Sequence, residues 1–121
     1  MEQKGENMEN IQIEKYLPLS ESTYYIMLVL IEPIYGYEVM QKVETLTNGE
    51  VIIGPGTLYG AFSTLEKEGL IELIRVEDRR KFYMLTEKGR TTLKAQMGRL
   101  KLMTQSARQI LLETRHPLLM M

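Results

Sequence analysis

Apolar positions along the chain fall into short periodic blocks separated by turn residues, and their spacing predicts four helices and one hairpin. Ser20 stands before the first block as a helix N-cap, and Glu21 suits the positive end of a helix dipole. A helix is therefore predicted from Glu21 to Glu32, stopped by Pro33, with a second half apolar on every side and so buried all round. Gly36 opens a second helix. Val39, Met40, Val43 and Leu46 recur there at helical spacing, and Glu38, Gln41, Lys42 and Glu44 take the other face. Asn48-Gly49 ends it.

Val51-Ile52-Ile53 is a short apolar link, and Gly54-Pro55-Gly56-Thr57 is a tight turn into a third helix. Leu58, Ala61, Phe62 and Leu65 form the apolar stripe of that helix. Thr57, Tyr59, Gly60, Ser63, Thr64 and Lys67 are left on its other side, and Gly69 is its expected C-cap. Leu70 to Val76 and Phe82 to Leu85 read as the two strands of a hairpin whose tip, Glu77-Asp78-Arg79-Arg80, is charged and lacks glycine. Thr86 caps a last long helix with Glu87 in its first turn. Within it Leu93, Met97, Leu100, Thr104, Ala107 and Leu111 fall at alternating steps of four and three, a short heptad seam interrupted by Thr104. Such a seam either folds back on its own domain or pairs with a second copy, and pairing is the expectation.

This order of elements predicts an α+β winged helix-turn-helix with a long C-terminal dimerisation helix. The expected organisation is a flexible tail over residues 1–18, the winged helix over 19–86 and the dimerisation helix over 87–121. In this architecture the third helix enters the major groove of DNA and the hairpin lies along the backbone. Thr57 and Ser63 can donate to phosphates or base edges, Tyr59 offers a flat face with a hydroxyl, and Lys67 adds charge. Gly60 in mid-helix costs about 1 kcal/mol relative to alanine. Its bare backbone either lets the helix approach DNA closely or packs on the second helix. Arg79, Arg80 and Lys81 are placed to neutralise phosphates.

The formal net charge of −1 does not fit a phosphate partner, but its distribution does. Residues 1–53 hold nine acids and three bases, whereas residues 54–101 hold ten bases and six acids. Exposed charges separated by more than about 8–10 Å are largely screened from one another, so the local excess is what a phosphate meets. With no cysteine, the chain has no disulfide, thiol nucleophile or cysteine-ligated metal, and a reducing cytoplasm is the expected setting. The polar, acidic start is unlike a signal peptide, and Tyr24 to Ile31, the longest apolar run, is too short to span a bilayer. No paired carboxylates with a base, nucleophile elbow or P-loop is present, so no enzyme activity and no cofactor or metal is expected. The single histidine, His116, next to Pro117, is assigned no role.

Several of these stretches, taken in order, resemble the PadR family of bacterial transcriptional regulators. They are Tyr35-Gly36-Tyr37-Glu38, Gly56-Thr57-Leu58-Tyr59, Leu65-Glu66-Lys67-Glu68-Gly69-Leu70-Ile71, Arg80-Lys81-Phe82-Tyr83 and Leu85-Thr86-Glu87-Lys88-Gly89. The resemblance covers about Leu19 to Leu111. It implies a dimeric repressor that touches DNA with Thr57 and Tyr59 of the third helix and with Arg80-Lys81 of the wing. Together with the residue reading it gives a candidate DNA-contact set of Tyr37, Gly56, Thr57, Tyr59, Gly60, Ser63, Lys67, Arg79, Arg80 and Lys81. The single C-terminal helix is similar to that of a short subgroup containing multidrug-sensing repressors. This implies a hydrophobic or planar effector between the first and last helices, lined by Thr23, Tyr24, Met97, Leu100 and Met103. Those repressors stack a last-helix tryptophan on the ligand; this chain has none, and Leu100 stands near its position. The expected function is a homodimeric repressor binding a pseudo-palindromic operator in double-stranded DNA. The rival is a winged-helix protein-interaction module that does not bind DNA.

Overall fold

The computed structural model describes residues 13–113. The elements run α1 (Glu21–Val29), β1 (Ile34–Tyr35), α2 (Gly36–Leu46), α3 (Pro55–Lys67), β2 (Ile71–Glu77), β3 (Arg80–Leu85) and α4 (Glu87–Glu113). This is an α+β winged helix-turn-helix with a long C-terminal helix. The strands form one antiparallel sheet in the order β1-β3-β2. The core lies between the three short helices and the sheet. It is built from Ile26, Met27 and Leu30 at α1, Val39 and Val43 of α2, Leu58, Phe62 and Leu65 of α3, and Tyr83 and Leu85 of β3.

The helix ends follow from local chemistry. Ser20 Oγ accepts from the Thr23 amide at 3.1 Å, capping α1 as its residue type predicts. The end of α1 comes earlier than the expected Glu32. The Leu30 carbonyl accepts from the Leu85 amide at 2.8 Å, which draws the chain toward β3, and Pro33 disfavours a helical residue before it. The ends of α2 and α3 share one arrangement. Asn48 (φ 52°) and Gly69 (φ 74°) each take the left-handed conformation just beyond the helix. The following amides then return to the Glu44 and Leu65 carbonyls, both at 2.8 Å.

Four expectations need correction. Residues 13–18 do not hang off the domain as a tail. Ile13 is buried, and Tyr16 packs on the core and donates its hydroxyl to Glu68 Oε1 at 2.9 Å. Leu46, placed on the apolar face of α2, is exposed, because it sits in the last turn beside the end of α1 with no element over it among the described residues. The two-residue strand β1 has no periodic signal of its own and pairs Ile34 with Tyr83 and Tyr35 with Phe82. The hairpin strands extend closer to the tip than Val76 and Phe82, since Glu77 pairs with Arg80.

α4 is tied down only at its start. Its first turns hold buried Gly89, Thr92, Leu93 and Gln96. Gly89 has no room for a side chain, because a Cβ there would overlap the Leu70 carbonyl oxygen. Gln96 Oε1 accepts from the Leu19 amide at 2.8 Å and fixes the segment leading into α1. Leu93, the first position of the heptad seam, belongs to the core of its own chain. From Met97 to Glu113 every residue of α4 is exposed.

Candidate nucleic-acid interface

The third helix is built to present a low ridge. Gly54 caps it, Pro55 occupies its first turn, and Leu58, Phe62 and Leu65 anchor one face in the core. Directly opposite that face, at steps of four, three and four, lie Gly56, Gly60, Ser63 and Lys67, all exposed. Two glycines and a serine thus make the part of α3 farthest from the core, where the bare helical backbone is most accessible. A Cβ on Gly60 or Gly56 would meet nothing within 4 Å. Packing against the second helix therefore does not explain Gly60.

Flanking this ridge are two grooves on opposite sides. One, of about 450 Å³, lies between α3 and the wing. Tyr37, Tyr59 and Ser63 line it from the helices, and Arg79, Arg80 and Lys81 line it from the hairpin. The other, of about 420 Å³, lies between α3 and the start of α1 and is rich in hydroxyls: Ser20, Ser22, Thr23, Thr57 and Thr64, with Gly56 and Gly60 between them. Nine of the ten candidate contact residues thus border one groove or the other, and Lys67 continues the ridge beyond both.

The wing owes its shape to a two-residue turn. Asp78 (φ 49°) and Arg79 (φ 67°) both lie in the left-handed region, the pattern of a type I′ turn made without glycine. Behind the tip, the Arg80 guanidinium lies 4.8 Å from the Tyr35 ring centroid and Arg75 lies 4.3 Å from that of Phe82. Aromatic faces thus hold both cations near the backbone of the sheet rather than leaving them to swing freely. A register shift between Leu73 and Arg75 bulges β2 at Ile74.

A chain of aromatic rings supports the wing-side groove. Phe62 packs on Tyr83 with centroids 5.0 Å apart, and Tyr59 meets the edge of Phe62 at 6.3 Å. Burial, and then the neighbouring Glu66 carboxylate, push the Tyr83 hydroxyl above the ordinary tyrosine range. Tyr35, Gly36 and Glu66 also line this groove and escaped the sequence reading. Glu66 was legible in principle: Tyr59, Ser63 and Glu66 stand at steps of four and three, so they share a face.

The effector-pocket residues separate. Tyr24, Leu100 and Met103 line a cavity of about 310 Å³ between α1 and α4, together with Pro18, Leu19, Glu21, Tyr25 and Gln96. Thr23 turns instead toward the hydroxyl groove beside α3, and Met97 is half-exposed outside the cavity lining. Of the heptad seam, Met97, Leu100, Thr104, Ala107 and Leu111 are exposed on α4, with the Thr104 hydroxyl returned to the Leu100 carbonyl at 2.9 Å. His116 lies outside the described residues. Among the described residues no acidic or histidine cluster suits a metal ion, and no helix is long and apolar enough to cross a membrane.

Comparison with known proteins agrees with this fold. Residues 26–95 match the model of the transcriptional regulator PadR-like family. An uncharacterised protein of Lysinibacillus sphaericus is 38% identical over 72 residues, which span 56% of this chain and 66% of that relative. The structure of a transcriptional regulator from Clostridium thermocellum superposes with a TM-score of 0.65 at 27% identity, covering 75% of this chain and 96% of that one. A PadR-like transcription factor from Bacteroides fragilis gives a TM-score of 0.62 at 27% identity, covering 91% of this chain and 99% of that one. With the family model matched over more than half the chain, from the middle of α1 into α4, the chain belongs to the PadR-like family of transcriptional regulators.

Proposed function

We propose that this chain is a cytoplasmic homodimeric repressor that binds a pseudo-palindromic operator in double-stranded DNA, with a hydrophobic or planar small molecule relieving repression from the dimer interface. One observation carries the DNA face: Tyr59 and Ser63 of the low-ridged third helix share a single groove with Arg79, Arg80 and Lys81 of the wing. In this reading the ridge of Gly56, Gly60, Ser63 and Lys67 enters the major groove. The side chains on its two flanks meet the two phosphate backbones. Arg79, Arg80 and Lys81 hold one backbone by charge. Thr57, Thr64 and the hydroxyls at the start of α1 meet the other by hydrogen bonding. The ridge carries no arginine, asparagine or glutamine, and Lys67 at its far end is its one side chain suited to the guanine O6 and N7 acceptors. Close backbone approach and phosphate contacts therefore supply most of the affinity.

The homodimer reading is supported by α4. From Met97 to Glu113 it extends exposed for about 25 Å at 1.5 Å per residue. Met97, Leu100, Met103, Ile110 and Leu111 lie exposed along one side of it. A surface of this kind on a small chain calls for a partner. Pairing sets two recognition helices about one helical turn of DNA apart, roughly 34–36 Å. The cavity beside Tyr24, Leu100 and Met103 adjoins the seam, so a ligand there binds one spacing better than another and shifts the population between them.

Thr57→Ala combined with Tyr59→Ala should weaken duplex binding in a gel shift while the oligomeric state is unchanged. An unaltered affinity sinks the DNA face. Absence of any salt-dependent duplex binding by the unaltered chain would leave the protein-interaction module.

A further inference from the structure

We propose that Gly36 is the positioning residue for Tyr59 on the DNA face, an inference that rests on the reading of that face given above. Gly36 opens α2 and is buried, and the space its side chain would fill belongs to the Tyr59 ring. A Cβ at position 36 would stand 2.8 Å from the Tyr59 hydroxyl oxygen, 3.0 Å from Cε1 and 3.1 Å from Leu58 Cδ2. Real Cβ atoms do not sit that close to a ring, so the ring or the helix must move.

Apart from the lesser crowding by Leu58, nothing else about position 36 calls for glycine. Its backbone lies outside the left-handed region, unlike Gly49 and Gly69, so any L-residue fits its conformation. What glycine provides at this position is the placement of an aromatic ring. That ring is not core: Tyr59 is 56% exposed, while its neighbours Leu58 and Phe62 are buried. An exposed ring held down at its hydroxyl end by Gly36 and braced at its edge by Phe62 is a ring whose position is used from outside.

The hydroxyl it delivers lies beside the start of α2, a helix that begins without a side-chain cap. Gly36 and Tyr37 of the first turn of α2 line the same groove as Tyr59. A phosphate oxygen placed there receives the Tyr59 proton and the field of the helix at once. Adding a methyl group at position 36 displaces the hydroxyl by several tenths of an ångström. That is enough to stretch a short hydrogen bond beyond its working range.

The test is a double-mutant cycle read by affinity for a mixed-sequence duplex, because a phosphate contact does not depend on base sequence. Gly36→Ala should weaken binding about tenfold, the worth of one hydrogen bond to a charged group. Tyr59→Ala should weaken it at least as much, and adding Gly36→Ala to Tyr59→Ala should change nothing further. Equal losses from Gly36→Ala in both backgrounds, or no loss in either, overturn the positioning role. If Tyr59→Ala leaves affinity intact, the reading of Tyr59 as a DNA contact fails first, and the proposal goes with it. Should Gly36→Ala not fold, the comparison moves to the Tyr59→Phe background, where the nearest atom is gone. There Tyr59→Phe should itself weaken binding and adding Gly36→Ala should cost nothing more, whereas a further loss overturns the role.

Discussion

The Thr86 hydroxyl donates to the Gly69 carbonyl at 2.6 Å and accepts from the Gly89 amide at 3.0 Å. One side chain thus joins the turn that follows α3 to the first turn of α4. The Thr86 amide adds a bond to the Leu70 carbonyl at 3.1 Å, so the sheet leaves and re-enters the helices at one knot. Thr86→Ala should lower unfolding free energy by about 1–2 kcal/mol, the range for loss of a threonine cap, measured by urea denaturation. Thr86→Ser should keep most of it. Equal stability of both variants with the parent would mean the knot is not a structural tie.

Two glycines should respond to alanine with opposite signs. At Gly89 the new methyl group runs into the Leu70 carbonyl, a backbone atom that cannot step aside. Gly89→Ala should destabilise by at least about 2 kcal/mol, as overpacking does. At Gly60 the methyl group meets open space, so Gly60→Ala should stabilise by roughly 0.5–1 kcal/mol through helix propensity. The same change raises the ridge that faces the groove, so duplex affinity should fall while the melting temperature rises. A rise in both would show that Gly60 has no part in DNA approach.

What the sequence disclosed and what it hid divide along a physical line. Helix caps, apolar stripes and turn residues act over a few positions, so Ser20, Gly69, Thr86 and the Leu58-Phe62-Leu65 stripe could be read locally. β1 exists only because Ile34 and Tyr35 meet Tyr83 and Phe82, some fifty residues away, and nothing within two residues announces that. The burial of Ile13 and Tyr16 likewise depends on a distant partner, Glu68. Leu93 fits a heptad seam by spacing yet is spent inside its own chain, because periodicity fixes a face but not which surface covers it. Of the candidate site, residue types on α3 and the wing were legible, whereas the closeness of Tyr59 to Gly36 was not.

Glu68 gives the fold an acid-sensitive tie. The Tyr16 hydroxyl bond is the largest cause holding its carboxyl below the ordinary glutamate range, with Lys15, Lys88 and Lys67 adding to it against a smaller effect of burial. A carboxyl depressed in the folded state contributes stability above the unfolded-state value of about pH 4.3 and loses it as pH falls through the folded-state value. The effect is small, because the group is partly exposed and screened. Tyr16→Phe should lower the urea midpoint above that pH, and the gap from the parent should narrow below it. A gap independent of pH would assign the Tyr16 effect to packing alone.

The wing tip should separate charge from turn geometry. Asp78 and Arg79 take the left-handed conformation at a cost that Asn-Gly would avoid, so Asp78→Asn with Arg79→Gly should stabilise the fold by about 1 kcal/mol. Arg80→Gln with Lys81→Gln leaves the turn intact. Each lost phosphate contact should reduce the slope of log affinity against log salt by about 0.9. An unaltered slope in the second variant would show that the wing does not reach the backbone.

α4 offers an internal control for dimerisation. Leu111 follows Leu93 by eighteen residues, five whole turns, and so lies on the same line as the position already buried in the core. Leu102 follows Leu93 by nine residues, two and a half turns, and points the opposite way. Both are exposed in a single chain, at 52% and 64%. Burial in the monomer therefore cannot distinguish them, but a seam can. If pairing uses the Leu93 to Leu111 line, Leu111→Arg should convert the dimer to monomer in light scattering and reduce operator affinity by losing the linkage of two half-sites, whereas Leu102→Arg should leave both unchanged. Dissociation by Leu102→Arg with tolerance of Leu111→Arg would place the partner on the far side of the helix. The cavity beside Tyr24 and Met103 would then lie away from the interface, and a ligand bound there could not set the spacing of the two recognition helices.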